Sequence, residues 1–180
     1  VEYYTDGTGF KPSQVKTKYY KVAKSYTITF RVDGQGGSLK GTYNGNMQIA
    51  SGGGTKTVRA AAGETISFST TADTNYAVHS WTGVTASLPD SATATLTVTG
   101  NAAVSVKFYQ SEITGTAPMA WQALLKAIKA APEGVTLKVS GTIQATNNGS
   151  SDTANYGEIV INKNLTIEGK NGAGTDILDA

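Results

Sequence analysis

Tyr26-Thr27-Ile28-Thr29-Phe30-Arg31-Val32 alternates large apolar with polar side chains at every step. A period of two, carried by β-branched and aromatic residues, is the pattern of a strand with one buried face. Downstream, Asp33-Gly34-Gln35-Gly36-Gly37 is turn-forming, and residues 38–43 are a second short strand. Together they predict a hairpin. Asn44-Gly45-Asn46 marks another turn, because Asn and Gly both tolerate positive φ, and Ser51–Gly54 is a loose connection. Further strands are expected over 55–59 and over 65–70, where Ile66 and Phe68 share a face. The pattern returns over 93–99, with Leu96 and Val98 inward, and in the run holding Val104, Val106 and Phe108. Strands that recur about every ten residues, separated by turns, predict a small antiparallel β module over residues 25–109.

Asn75-Tyr76-Ala77-Val78-His79-Ser80-Trp81-Thr82-Gly83 holds one of the two tryptophans. Strand alternation puts Val78 on one face and His79 and Trp81 on the other. Trp81 supplies the apolar area needed to close a β core, or, with Tyr76, a platform that stacks on a sugar ring. Trp81 and Tyr76 are therefore the candidate binding residues. His79 is the only histidine, and the chain has no cysteine. A zinc site or a thiol nucleophile is thus excluded, as are disulfides. Ser80 adjoins His79, but neighbours on a strand point to opposite faces and do not form a nucleophile–base pair.

The chain has 180 residues, 39% hydrophobic and 16% charged, with 21 glycines and a formal net charge of +2. This is the composition of short strands joined by many turns, and it resembles that of exported bacterial surface proteins. Residues 11–24 carry Lys11, Lys16, Lys18, Lys21 and Lys24 without an acid. No aromatic-interleaved nucleic-acid motif accompanies them, so they read as a solvated segment or a lysine-protected edge. Residues 1–24 are expected to be an extended N-terminal segment, with a strand near Lys18–Val22. No apolar run reaches the roughly 18–20 residues of a membrane span. The chain begins at Val rather than Met, which predicts a processed or trimmed N-terminus.

Beyond residue 110 the pattern changes. Residues 110–117, with Thr114-Gly115-Thr116, are expected to be a linker. Pro118 suits a first helical turn. Trp121, Leu124, Leu125 and Ile128 stand at i, i+3, i+4 and i+7, predicting a helix over 118–131 that Pro132 and Gly134 stop. Its apolar face needs a partner. The alternating Val135, Leu137 and Val139, then Ile143, then strands over 158–161 and 165–167, provide one. Residues 147–152 read as a loop, and Ile177 and Leu178 resume the apolar pattern.

Little in the chain suggests a reaction. The carboxylates are scattered, mostly at turn-like positions where Asp and Glu are common. Asp176 and Asp179 are the best candidates for a calcium or sugar-acid site, but their spacing lacks a calcium-loop pattern. Gly34-Gln35-Gly36 and Gly52-Gly53-Gly54 lack the Lys-Ser/Thr pair of a phosphate-binding loop. No catalytic residue, metal or cofactor is expected.

Two resemblances extend these readings. The strand Tyr26–Phe30, Ala62-Gly63-Glu64-Thr65-Ile66-Ser67-Phe68, the segment Asn75–Gly83, Leu96-Thr97-Val98 and Val104–Phe108 follow one another as in internalin-B-type bacterial surface repeats. Residues 26–108 resemble a divergent member. The departure is Val78-His79-Ser80, where that family more often places an aromatic and a Gly before the Trp. Residues 116–180 resemble the N-terminal cap of a pectate-lyase-like right-handed β-helix, through Trp121–Ile128, Ala131–Ile143 and Ile161–Gly169. Together the resemblances imply a mainly β chain: a small antiparallel module, a capping α-helix, then the first rungs of a parallel β-helix broken off in mid-rung at Ala180.

The function expected is a non-catalytic fragment of a bacterial cell-surface or secreted protein, a spacer or adhesion module whose partner is a host or matrix protein or a polysaccharide. The rival readings are the N-terminal portion of a polysaccharide-degrading β-helix enzyme with catalytic rungs past residue 180, and a carbohydrate-binding module acting through Trp81 and Tyr76. Nucleic acid is not an expected partner. Self-association is expected through residues 155–180, where an unpaired parallel edge would be exposed.

Overall fold

The computed structural model describes residues 3–5, 10–12, 23–115, 120–144, 159–172 and 174–179. The fold is mainly β, with one short helix among the described residues. Near the N-terminus, β1 (Tyr3–Thr5) pairs antiparallel with β2 (Phe10–Pro12), so the expected extended segment contains a strand pair. The strand expected near Lys18–Val22 lies outside the described residues.

Ten strands follow: β3 (Ser25–Val32), β4 (Gly37–Tyr43), β5 (Asn46–Ser51), β6 (Thr55–Ala61), β7 (Thr65–Ala72), β8 (Tyr76–Thr82), β9 (Thr85–Ala86), β10 (Thr93–Thr97), β11 (Ala102–Gln110) and β12 (Glu112–Thr114). The first nine of these make two sheets, ordered β6-β3-β11-β8 and β5-β4-β7-β10-β9. Their inner faces meet in a sandwich core of Ile28, Phe30, Val32, Leu39, Ile66, Phe68, Val104 and Val106, each at most 2% exposed. The Phe30 and Phe68 rings meet edge to face, with centroids 5.5 Å apart and planes 69° apart, a favoured aromatic geometry.

The hairpin expected between residues 25–33 and 38–43 does not form. The two strands belong to opposite sheets. Each buries one face, Ile28-Phe30-Val32 on β3 and Gly37-Leu39-Gly41 on β4, and the two faces meet across the core rather than side by side. The 33–36 loop carries the chain between the layers. Its ends are pinned to different sheets, Asp33 N–H donating to the Val106 carbonyl and the Gly36 carbonyl accepting from Asp73 N–H. Gly36 has φ +107° and sits where an added Cβ would lie 2.3 Å from Tyr76 Cδ1, so both backbone and space require glycine.

β4 instead pairs with β5, across a two-residue turn in which Asn44 and Gly45 have φ of 48° and 76°. Two positive φ values match the twist of a tight hairpin. β5 was not legible as a strand, because its buried residue is the small Ala50 while Met47 and Ile49 face outward. The all-antiparallel expectation holds for the sandwich pairs except one: β3 and β11 run parallel at its centre.

The expected linker over 110–117 is also corrected. Only Ser111 separates β11 from β12, and β12 opens a separate three-stranded sheet outside the sandwich. Helix α1 (Ala120–Ala130), β13 (Thr136–Ser140), β14 (Thr142–Gln144), β15 (Thr166–Gly169) and β16 (Ile177–Asp179) complete this second unit. Its strands pair in parallel as β12-β13-β15 and β14-β16. Trp121, Leu124 and Ile128 of α1 are buried with Ile113, Leu137, Val139 and Ile143 in a second core. Residues 112–114 are a strand and no tether because Ile113, 1% exposed, is part of that core.

The expected strand over 158–161 is not formed by its described residues, 159–161. Ile159 packs against the second core while Val160 and Ile161 are 63% and 46% exposed. A run of three apolar residues has no alternation to hold it in a half-buried ladder. Pairing begins only at Thr166.

Phe68→Ala should test the sandwich core directly. Removing a ring that is 2% exposed should cost about 3–5 kcal/mol in urea unfolding, with the transition still cooperative. A loss below ~1 kcal/mol would contradict the packing described.

Candidate functional site

The segment Asn75–Gly83 contains a β-bulge. On β11, Lys107 lies opposite Ser80 and Phe108 opposite Val78, so His79 is the extra residue of β8. An extra residue reverses the alternation beyond it. Trp81 is therefore opposite Val106 and Val78 opposite Phe108, and both face the first core. The expectation that Val78 and Trp81 point to opposite faces is corrected by this single residue. His79 Nδ1 is buried without a hydrogen-bond partner among the described residues.

Tyr76 and Trp81 both pack, partly buried, against the sandwich core. Trp81 Nε1 donates to the Ser91 carbonyl at 2.7 Å, anchoring the 87–92 loop. The Tyr76 ring lies over Gly36, and its hydroxyl accepts from Gln35 Nε2 at 3.4 Å. The structure brings the rings to one face but not side by side. Opposite them stand Gln110 and Val106, about 13 Å apart along β11 at the rise of a strand.

Asn75 has a second task. With φ 68°, its carbonyl accepts from the N–H groups of Ser111 and Glu112 and from Ser111 Oγ. The Ser111 carbonyl in turn accepts from Lys138 N–H. One residue thus ties β8 of the sandwich to β13 of the second unit. Just before it, Phe108 enters the first core and Tyr109 packs against the second. Burial, and secondarily the charge of Asp90, push the Tyr109 phenol above its usual pKa.

The carboxylates act as struts. Glu112 meets Lys170 Nζ at 2.6 Å, Glu168 meets Lys138 at 3.7 Å, and Asp33 meets Arg31 at 3.7 Å. Glu133 accepts from Asn164 N–H at 2.8 Å. Among the described residues no group of three or more His, Asp or Glu is placed to hold a metal ion. Asp176, considered above for such a site, accepts from the Gly141 N–H at 2.7 Å and from both the N–H and Nδ2 of Asn171. These donors, the Asn171 N–H foremost and Gly141 next, hold its carboxyl below the usual carboxylate range. The side chain of Asp179 is outside the described part.

A shallow groove of about 670 Å³ runs between α1 and residues 160–163, lined by Leu125, Lys126, Lys129, Val160 and Lys163. Lys163 Nζ donates to the carbonyls of Lys129 and Ala131 at 3.1 and 2.8 Å. It therefore caps the helix C-terminus, where a cation is favoured. Nothing local in the sequence marks it for that role, since it lies 34 residues from Lys129. Among the described residues no helix is long and apolar enough to cross a membrane.

Comparison with known family models, characterised proteins and solved structures found no match.

Because the folded Asp176 carboxyl titrates below its unfolded value, its contribution is present above about pH 4 and is lost as pH falls through the folded pKa. Asp176→Asn should therefore speed hydrogen exchange at Gly141 and Asn171 at neutral pH, and should flatten the acid dependence seen in the parent. Unchanged exchange at both amides would refute the clamp.

Proposed function

We propose that this chain is a non-catalytic spacer or adhesion region of a bacterial cell-surface or secreted protein, acting outside the cell. The observation that carries the reading is the continuous strand path 102–114, interrupted only at Ser111, with buried side chains in both cores. A path without a tether transmits position and force between its ends, which is what a spacer requires. The resemblance of residues 26–108 to internalin-B-type repeats supports the surface assignment. The parallel pairs β12-β13-β15 and β14-β16, with α1 packed into their core, support the finer reading that residues 116–180 begin a helix-capped parallel β-helix. The partner fitting this reading is a host or matrix protein or a polysaccharide. Trp81 and Tyr76, engaged with Ser91 and Gln35, serve here to close the module.

The absence of native cysteine makes the test direct. Spin labels at Thr57→Cys and Thr166→Cys, exposed sites in the two units, should give one narrow distance distribution by pulsed dipolar spectroscopy. A broad distribution would mean a flexible joint and would overturn the spacer reading.

A further inference from the structure

Among the described residues of the second unit, positive charge gathers unopposed at the groove between α1 and residues 160–163. Lys126, Lys129 and Lys163 line it, and no described carboxylate does. Elsewhere in the unit lysines meet acids, Lys138 with Glu168 and Lys170 with Glu112. Glu133 and Asp176 are engaged as well, with the Asn164 N–H and with the amides of Gly141 and Asn171. Lys126 and Lys129 are exposed, and neither side chain has an ion pair or a hydrogen bond among the described residues.

The helix dipole explains part of this arrangement. Lys163 sits on the terminal carbonyls, and Lys129 is in the last turn of α1. The effect of the dipole falls off within that turn, so Lys126, further in, is left unaccounted for. The groove is also amphipathic. Leu125 is half-buried on α1, and Val160 is 63% exposed on the facing wall. No described aromatic ring lines it, so it lacks the flat platform on which a sugar stacks. An aliphatic side chain held between carboxylates covers Leu125 and Val160 while it brings charge to the lysines.

We propose that this groove is a docking site for an acidic peptide segment of a partner protein, one in which an aliphatic side chain is flanked by carboxylates. Lys126 and Lys129 pair with the carboxylates, and the aliphatic side chain lies on Leu125 and Val160. Complementary charge of this kind contributes more to specificity and encounter rate than to affinity, so the complex is weak and salt-dependent. The proposal rests on the adhesion reading above and names the chemistry of its protein partner. The spin-label distances read the joint and not this groove, so the two can fail separately.

The experiment is a titration of the isotope-labelled whole chain with a peptide of one leucine flanked on each side by three glutamates, followed by amide chemical shifts. The shifts should saturate and centre on residues 125–129 and 160–163, and binding should weaken as salt is raised. Lys126→Gln with Lys129→Gln should weaken it about tenfold, with circular dichroism unchanged. Lys56→Gln with Lys107→Gln removes the same charge from exposed sites of the sandwich and should change it by less than about twofold. A peptide with serine in place of leucine should bind severalfold more weakly. No saturable shift at the groove would overturn the proposal. So would equal losses in the two double variants, the mark of nonspecific attraction, or a serine peptide that binds as well as the parent peptide. Polygalacturonate binding the groove more tightly than the peptide would overturn it too, because the partner would then be an acidic polysaccharide.

Discussion

The structure depends on one strand path serving two cores. Along residues 102–110 the chain alternates Val104, Val106 and Phe108 into the sandwich. At Tyr109 and Ile113 it commits side chains to the second core instead. Ser111, the one residue between the strands, spends its backbone and hydroxyl on fixing the joint to Asn75 and Lys138. Each hydrogen bond is worth only about 1 kcal/mol net. The constraint is mainly geometric. A helix and a parallel sheet can pack on Ile113 only if β12 leaves the sandwich in the direction that β11 sets.

Three local devices make that path possible. Gly36, with no Cβ, lets the 33–36 crossing pass beneath the Tyr76 ring. The bulge at His79 turns Trp81 inward beside Val78, so β8 can flank β11 and still cover the core. The positive φ of Asn75 aims its carbonyl at Ser111 and Glu112. All three lie within the crossing and β8 regions, next to the strand they support. Tyr76 and Trp81 are packed, partly buried, into this arrangement at its two ends.

How much of this was legible in the sequence follows from the range of each interaction. Ile28-Phe30-Val32, Ile66-Phe68 and Trp121-Leu124-Ile128 were legible because a single element's periodicity decides which face is buried. The pairing of β3 with β11 was not, since alternation names a buried face but not its neighbour. β5 was missed because its buried residue is an alanine. Ser111 read as part of a linker because a joint held by a carbonyl 36 residues away has no local mark. Of the candidate site residues, Trp81 and Tyr76 were legible as two aromatics of one strand. Their shared face depends on a bulge that composition does not announce. The roles of Asp176 and Lys163 are tertiary in the same sense, since both bind main-chain groups about 30 or more residues distant.

If one strand path governs both cores, the cores should unfold together. Urea unfolding of the Trp81→Phe protein tests this, because Trp121 then reports the second core alone while far-UV circular dichroism follows strands that lie mostly in the sandwich. The account predicts coincident transitions, the signature of a single cooperative unit. Two separated midpoints, with Trp121 released while the sandwich strands persist, would contradict it.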